Sequence, residues 1–424
     1  MNELPPAKRK KILVPIFNRA HLGRLRPILK AIQEHPGLQL QVMAATHAVH
    51  GSLFSALRHG DPLSFTAAIP WYMKARFSFA WHRLGFGGQI ANDHIAKKII
   101  SEGFFVHARL PIFLEGSTPA TMAKSVGVGL IRMIDECIRL KPDMIFIHAD
   151  RFEMMAPALA AAYLNIPIAH NEAGDVSGTI DESVRHAITK FAHLHFAATD
   201  ESRRRVIQMG ENPDFVFTVG SPAIDALANL DLSLLPQSIN DFSFQNPYLL
   251  AMVHPITTQS DEENRSMVEG TLAALELLNM PVLIVGGNAD AYARIVSPVI
   301  VSWMARRTSA SVHYVKWLGP DVYFRALAHA SCTIGNSSSF LREGAYLGTP
   351  AVIVGSRQQG RERGLNAMEV RADAQDIVSA ARQQLARGRY PRDMRFGSGD
   401  AAIKIADILA RAEPPIQKKF HPYP

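Results

Sequence analysis

The sequence predicts an α/β protein made of two doubly wound, parallel-sheet halves with a ligand cleft between them, and three observations carry that prediction. Short β-branched or aromatic runs alternate with longer helical patterns. The alternation stops at a polar, Pro-containing stretch over 229–247 and then starts again. Polar side chains collect where the apolar runs end. A chain of 424 residues has room for two or three domains, each able to bury its own core.

In the first series KILVPIF (11–17) precedes a helix over 22–34, LQLQVMAA (38–45) follows, and PDMIFIHA (142–149) leads into a helix over 153–164. IPIAHNEA (166–173), LHFAAT (194–199) with a helix over 200–209, and FVFTVG (215–220) complete it. Strand, helix, strand in repetition implies a parallel sheet with helices on both faces. The second series is YLLAMVH (248–254), VLIVGG (282–287), VHYVKWL (312–318), CTIGN (332–336) and PAVIVG (350–355). The expected division is therefore 1–222, 223–398, and a terminal helix and tail over 399–424 that packs back on the first half.

Residues 53–88 break the alternation. They are rich in aromatics but carry Pro70, Lys74 and Arg76, too interrupted to cross a bilayer. Such an amphipathic excursion suits packing or a subunit interface, a cover over the cleft, or a peripheral membrane contact.

Composition removes several classes. With 47% hydrophobic and 20% charged residues the chain is globular and not disordered. Two cysteines, Cys137 and Cys332, cannot form a disulfide framework and read as inert thiols of a reducing compartment, which points to the cytoplasm. The net charge of +7 is spread along the chain apart from the leader AKRKK (7–11), which reads as the solvated entry to the first strand and not as a nucleic-acid patch; anionic small ligands suit this balance. The apolar run after the leader is too short for a secretory signal, and nothing is long and apolar enough for a transmembrane segment.

The polar residues at the strand ends are Asn18-Arg19, Asp150-Arg151, His170-Asn171-Glu172, His254, and Asn336 with three serines. Together at carboxyl ends they indicate a shared cleft. In GNSSSFLREGAYLGTP (335–350) a strand end runs through a small-residue turn into a helix expected near Phe340, a diphosphate-type anion site, with Glu343 suited to the two hydroxyls of a ribose. The loop GSRQQGRERG (355–364) adds Arg357, Arg361 and Arg363 for phosphate neutralisation. The acids Asp150, Glu172, Asp181 and Glu182 lie near His148, His170 and His186 in the chain, without HExxH or other compact metal-ligand spacing. Two strand-end acids in one cleft are raw material for acid–base work on a sugar carbon if their surroundings push their pKa values apart.

PDMIFIHADRFE, IAHNEAGDVSGTIDESVRHAITKFAHLHFAAT, TVGSPAIDAL, HPITT and GNSSSFLREGAYLGTPAVIVGSRQQGRERGLNAMEV together resemble the UDP-N-acetylglucosamine 2-epimerase family, in its hydrolysing branch serving sialic and legionaminic acid pathways. The resemblance implies the GT-B architecture of two Rossmann-like domains with the nucleotide sugar between them, the first half on the sugar side and the second holding the nucleotide. It implies that Arg19 lies near the diphosphate, that Asp150 and Glu172 are the acid–base pair, and that Glu182, Arg185 and His254 are further catalytic or positioning groups. His47, His148 and His170 would join the substrate site, while Asn336, Ser337, Ser338, Glu343 and Arg357 would grip the nucleotide. No cofactor or metal is implied, and a homodimer is. The sequence departs from the family at Ala149, where Gly is usual, at Asn171, where an aliphatic residue is usual, and in the length of 53–88. The amide beside Glu172 is expected either to hydrogen-bond that carboxylate or to meet a sugar substituent.

Two other classes compete. A GT-B glycosyltransferase would share the cleft but need an acceptor, and a nucleic-acid-binding protein would show steep salt dependence and no turnover. A nicotinamide enzyme is disfavoured because GxGxxG follows none of the strands.

Overall fold

The structure, a computed structural model, describes residues 9–47, 94–114, 118–235, 238–239, 242–286, 293–306 and 312–422. Its strands are β1 (Lys10–Ile16), β2 (Leu38–His47), β3 (Ala108–Phe113), β4 (Met144–His148), β5 (Ile168–Asn171), β6 (Leu194–Ala197), β7 (Val216–Thr218), β8 (Ser238–Ile239), β9 (Phe242–Ser243), β10 (Leu249–Met252), β11 (Val282–Val285), β12 (Val312–Val315), β13 (Cys332–Gly335), β14 (Ala351–Val354) and β15 (Ala367–Val370). Its α-helices are α1 (Arg19–Glu34), α2 (His94–Ser101), α3 (Pro119–Leu140), α4 (Met155–Tyr163), α5 (Ile180–Phe191), α6 (Asp200–Gln208), α7 (Pro222–Ala228), α8 (Asp261–Leu278), α9 (Ala293–Ala305), α10 (Pro320–His329), α11 (Ser338–Leu341), α12 (Glu343–Leu347), α13 (Ala374–Arg387) and α14 (Ala401–Arg411).

Two sheets result, in the orders β3-β2-β1-β4-β5-β6-β7 and β12-β11-β10-β13-β14-β15, while β8 and β9 form a separate antiparallel pair. Every pairing in both large sheets is parallel. The order reverses at β1/β4 and again at β10/β13, the two places where a doubly wound sheet opens a crevice beyond its strand ends. The strand runs are apolar throughout because both faces are covered. Ile12, Val14 and Ile16 of β1 pack with Leu25, Ile28 and Leu29 of α1, while Leu13 joins Met133 and Cys137 of α3 on the opposite face. Edge strands β3 and β15 and the 22-residue α3 were not anticipated from sequence; β15 is only partly buried and lacks a continuous apolar run.

The chain returns to the first half at its end. Ile405 and Leu409 of α14 share a core with α1, and both carboxylate oxygens of Asp225 on α7 accept from the first turn of α14, from the Ala401 N–H at 3.1 Å and the Ala402 N–H at 2.6 Å. Beyond it, the Lys418 ammonium pairs with the buried Glu211 at 2.6 Å. Among the described residues no helix is long and apolar enough to cross a membrane.

Candidate active site

Strands β4 and β5 end in strained turns. Ala149, directly after β4, has φ +62°, and Glu172, directly after β5, has φ +61°. Non-glycine residues avoid this left-handed region, where each costs about 1–3 kcal/mol and persists only if its surroundings hold it. Here the Ala149 N–H donates to the Asn171 carbonyl at 2.9 Å, and the Ala149 carbonyl accepts from His170 Nε2, also at 2.9 Å. Because a carbonyl can only accept, His170 carries its proton on Nε2, which leaves Nδ1 to accept from the Thr189 hydroxyl at 3.1 Å. Burial pushes the His170 pKa down to about 3, so the ring is neutral. Both of its nitrogens are used inside the protein: His170, expected among the substrate-binding groups, braces the Ala149 turn instead. Ala149→Gly is accordingly expected to raise stability by about 1 kcal/mol in urea unfolding, and a lower midpoint would refute strain at this turn.

From the two turns a chain of charges crosses between the halves. Asp150 pairs with Arg185 on α5, and Arg185 Nη1 also donates to the Asp175 carbonyl at 2.8 Å. The Asp175 carboxylate pairs with Arg342, whose Nη1 donates to Glu172 Oε1 at 2.5 Å. The Ser202 hydroxyl supplies Asp175 with a further bond of 2.8 Å. Arg185 and Arg342 are each only 1% exposed, so neither pair is loosened by water. Burial pushes the Glu172 carboxyl up, but the Arg342 guanidinium, with Arg24 behind it, overrides it and holds Glu172 well below the usual carboxylate range. Of the surroundings expected to set the acids' pKa values, it is a neighbour, a guanidinium from the other half, and not burial that decides for Glu172 and keeps it ionised. Arg361 adds positive charge nearby, with its own pKa lowered to about 10 by burial and by Arg342.

On the second half, Asn336 after β13 and His254 after β10 are joined reciprocally across the switch point. The His254 N–H donates to Asn336 Oδ1 at 2.7 Å, and Asn336 Nδ2 donates to the His254 carbonyl at 2.8 Å. The Asn336 carbonyl accepts from Arg357 at 3.2 Å and Gln358 at 2.8 Å. Asn336 thus holds the loop rather than offering its amide to a ligand. The Ser337 hydroxyl caps α11 through the Ser339 N–H at 3.3 Å, and the Ser338 hydroxyl accepts from Arg24 of α1 at 3.4 Å. The helix begins at Ser338 and not near Phe340, and it breaks at Arg342 (φ −95°, ψ −70°) so that Glu343 opens α12. Glu343 is buried, with Oε2 lacking a hydrogen bond among the described residues.

The halves also meet through backbone. The Gly178 N–H donates to the Arg357 carbonyl at 3.1 Å, and a Cβ on Gly178 would lie 2.1 Å from the Ser356 carbonyl oxygen, so only glycine fits there. Glu182 accepts from the Ser177 N–H at 2.6 Å and fixes the turn leading into α5. The strand-end and serine-loop residues therefore gather between the sheets, with Glu182 at their margin. The backbone of Arg19 opens α1 and that of His47 ends β2, but their side chains and the segment 53–88 lie outside the described residues. Sequence reasoning missed Arg342, Asp175, Arg24 and His21. Arg342 did leave a trace, as one of two adjacent charges, with Glu343, inside the otherwise apolar run FLREGAYL.

A profile of the UDP-N-acetylglucosamine 2-epimerase family matches residues 87–410. The chain belongs to that family. It is 30% identical over 317 residues to the hydrolysing UDP-N,N'-diacetylbacillosamine 2-epimerase of Legionella pneumophila, covering 74% of this chain and 82% of that protein. To the UDP-N-acetylglucosamine 2-epimerase of Neisseria meningitidis it is 26% identical over 411 residues, 95% of this chain and 96% of that one. The crystal structure of the Methanocaldococcus jannaschii UDP-GlcNAc 2-epimerase superposes with a TM-score of 0.69 at 15% identity, covering 95% of this chain and 100% of that one. The chain thus has the GT-B architecture, two Rossmann-like domains with the charge chain at their meeting point.

Proposed function

We propose that this chain is a hydrolysing nucleotide-sugar 2-epimerase, which converts UDP-N-acetylglucosamine or a related UDP- or GDP-linked 2-acetamido sugar to the free manno-configured sugar and the nucleoside diphosphate. The observation that carries the reading is the buried chain from Asp150 through Arg185, Asp175 and Arg342 to Glu172. It brings two strand-end carboxylates and two guanidiniums to the crevice of a family whose members act on nucleotide sugars, with Arg361 beside them.

In an α-linked nucleotide sugar the C1 leaving group and the C2 proton are axial on opposite faces, so anti elimination is open to a base on one face and charge stabilisation on the other. The C2 proton is weakly acidic because no carbonyl adjoins that carbon. Cleavage of the C1–O bond, its electron pair leaving with the diphosphate, must therefore lead or accompany proton removal. A carboxylate, ionised as Glu172 is here, takes the proton, while the arginines and the Ser337–Ser338 turn stabilise the departing diphosphate. Water then adds to the glycal, its hydroxyl to C1 and a proton to C2 from the face that inverts C2.

Proton NMR in D₂O with UDP-N-acetylglucosamine and no acceptor tests this directly. The expected products are UDP and N-acetylmannosamine deuterated at C2. Free N-acetylglucosamine without deuterium would overturn epimerisation. No reaction with this sugar, its 2,4-diacetamido-6-deoxy analogue or the GDP-linked forms would overturn the assignment altogether.

A further inference from the structure

Beside Glu172 lies a group of buried polar atoms that the steps above do not use. His148 ends β4 and Asn171 ends β5, and they are register partners across the sheet, 1% and 0% exposed. Asn171 Nδ2 donates to His148 Nδ1 at 2.8 Å. An amide N–H can only donate, so Nδ1 must hold a lone pair, and the proton of the neutral ring sits on Nε2. That Nε2 has no hydrogen bond among the described residues, nor has Nδ1 of His21, whose ring stands edge-on to His148 with centroids 5.6 Å apart. The Asn171 amide therefore goes to the histidine and not, as expected, to Glu172 or into the cleft. Burial keeps His148 neutral, its pKa lowered to about 4 against the pull of Glu172, and burial likewise lowers His21. A buried donor left unmade is costly, so an Nε2–H placed beside a cleft carboxylate is one that a bound oxygen would satisfy.

We propose that Asn171 is a positioning residue: by donating to Nδ1 it fixes His148 as the Nε2–H tautomer, which hydrogen-bonds an oxygen of the bound sugar next to Glu172. The role in turnover rests on the epimerase reading; the tautomer does not. An aliphatic residue at 171 would leave the ring free to carry its proton on either nitrogen, and Asn171→Asp would demand a proton on Nδ1 and strip the donor from Nε2.

Long-range ¹H–¹⁵N spectra of the full-length, histidine-labelled protein decide the first part, with the His148 signals identified by their loss in His148→Gln. Wild type is expected to show an unprotonated Nδ1 and a protonated Nε2, and Asn171→Asp the reverse; a protonated Nδ1 in wild type overturns the proposal. In turnover of UDP-N-acetylglucosamine, Asn171→Val is expected to lose about tenfold or more in kcat/KM, with the affinity for UDP alone unchanged. Wild-type kcat/KM in Asn171→Val overturns the role in the reaction, and an equal loss of UDP affinity shows a general structural defect and overturns it too. If wild type turns over no nucleotide sugar, the epimerase reading has failed, and the tautomer measurement alone decides whether Asn171 sets His148.

Discussion

Glu172→Gln and Asp150→Asn are each expected to lower turnover about 10²- to 10⁴-fold, the usual worth of a positioned acid or base, while UDP affinity measured by calorimetry stays near wild type. The amides suit this test because they remove basicity and keep shape. In Glu172→Gln the side-chain carbonyl oxygen can still accept from Arg342, and Arg342 keeps its second partner, Asp175. In Asp150→Asn, Arg185 keeps the Asp175 carbonyl at 2.8 Å. The proposed nucleotide contacts, Ser337, Ser338, Glu343 and Arg357, lie on the other half and are not touched by either change. Loss of turnover with retained UDP binding would place both carboxylates at the sugar. Wild-type turnover in both variants would mean that they serve only as counter-charges to the buried arginines, and the elimination mechanism would fall.

Local pattern made the strands and their polar ends legible, and with them the location of the cleft. Runs such as ILVPI and VLIV are continuous because both sheet faces are covered, and the residue after each run has to leave the sheet. Of the four edge strands, β7 and β12 were legible and two were harder: β3 reads ARLPIF and β15 reads AMEV, both mixed in polarity and incompletely buried. Contacts between the halves were not legible at all. Arg342 stands 170 positions after Glu172 and 167 after Asp175, and no periodicity encodes such a pairing. Ala149 and Asn171 did stand out as departures from the family pattern, but their physical meaning, a strained left-handed turn and a hydrogen bond to His148, arises only where β4 and β5 end side by side in the fold.

Arg342→Leu is expected to destabilise the protein by about 3–5 kcal/mol, because it leaves the carboxylates of Glu172 and Asp175 buried without their cation. The pH dependence separates this cause from lost packing. In wild type the Glu172 carboxyl lies below its unfolded value, so its pairing contributes stability above the unfolded carboxylate pKa, and that contribution is lost as pH falls through the depressed one. Without Arg342 the largest charge opposing burial is gone, and burial raises Glu172 above its unfolded value; the folded variant then takes up a proton more readily than its unfolded chain and gains stability as pH falls through the raised pKa. The buried histidines weaken both proteins as pH falls below about 6.5; His170 does so equally in each, while His148, relieved of one of the cations that lower it, weakens the variant less, which acts in the same direction. The stability gap between wild type and Arg342→Leu should therefore be widest near neutral pH and narrow on acidification. Adding Glu172→Gln and Asp175→Asn to the Arg342→Leu variant should restore much of the stability at pH 7 without restoring turnover. A gap of the same size at pH 7 and pH 5, or no recovery from the two amides, would show that Arg342 acts through packing and not by pairing with the two carboxylates.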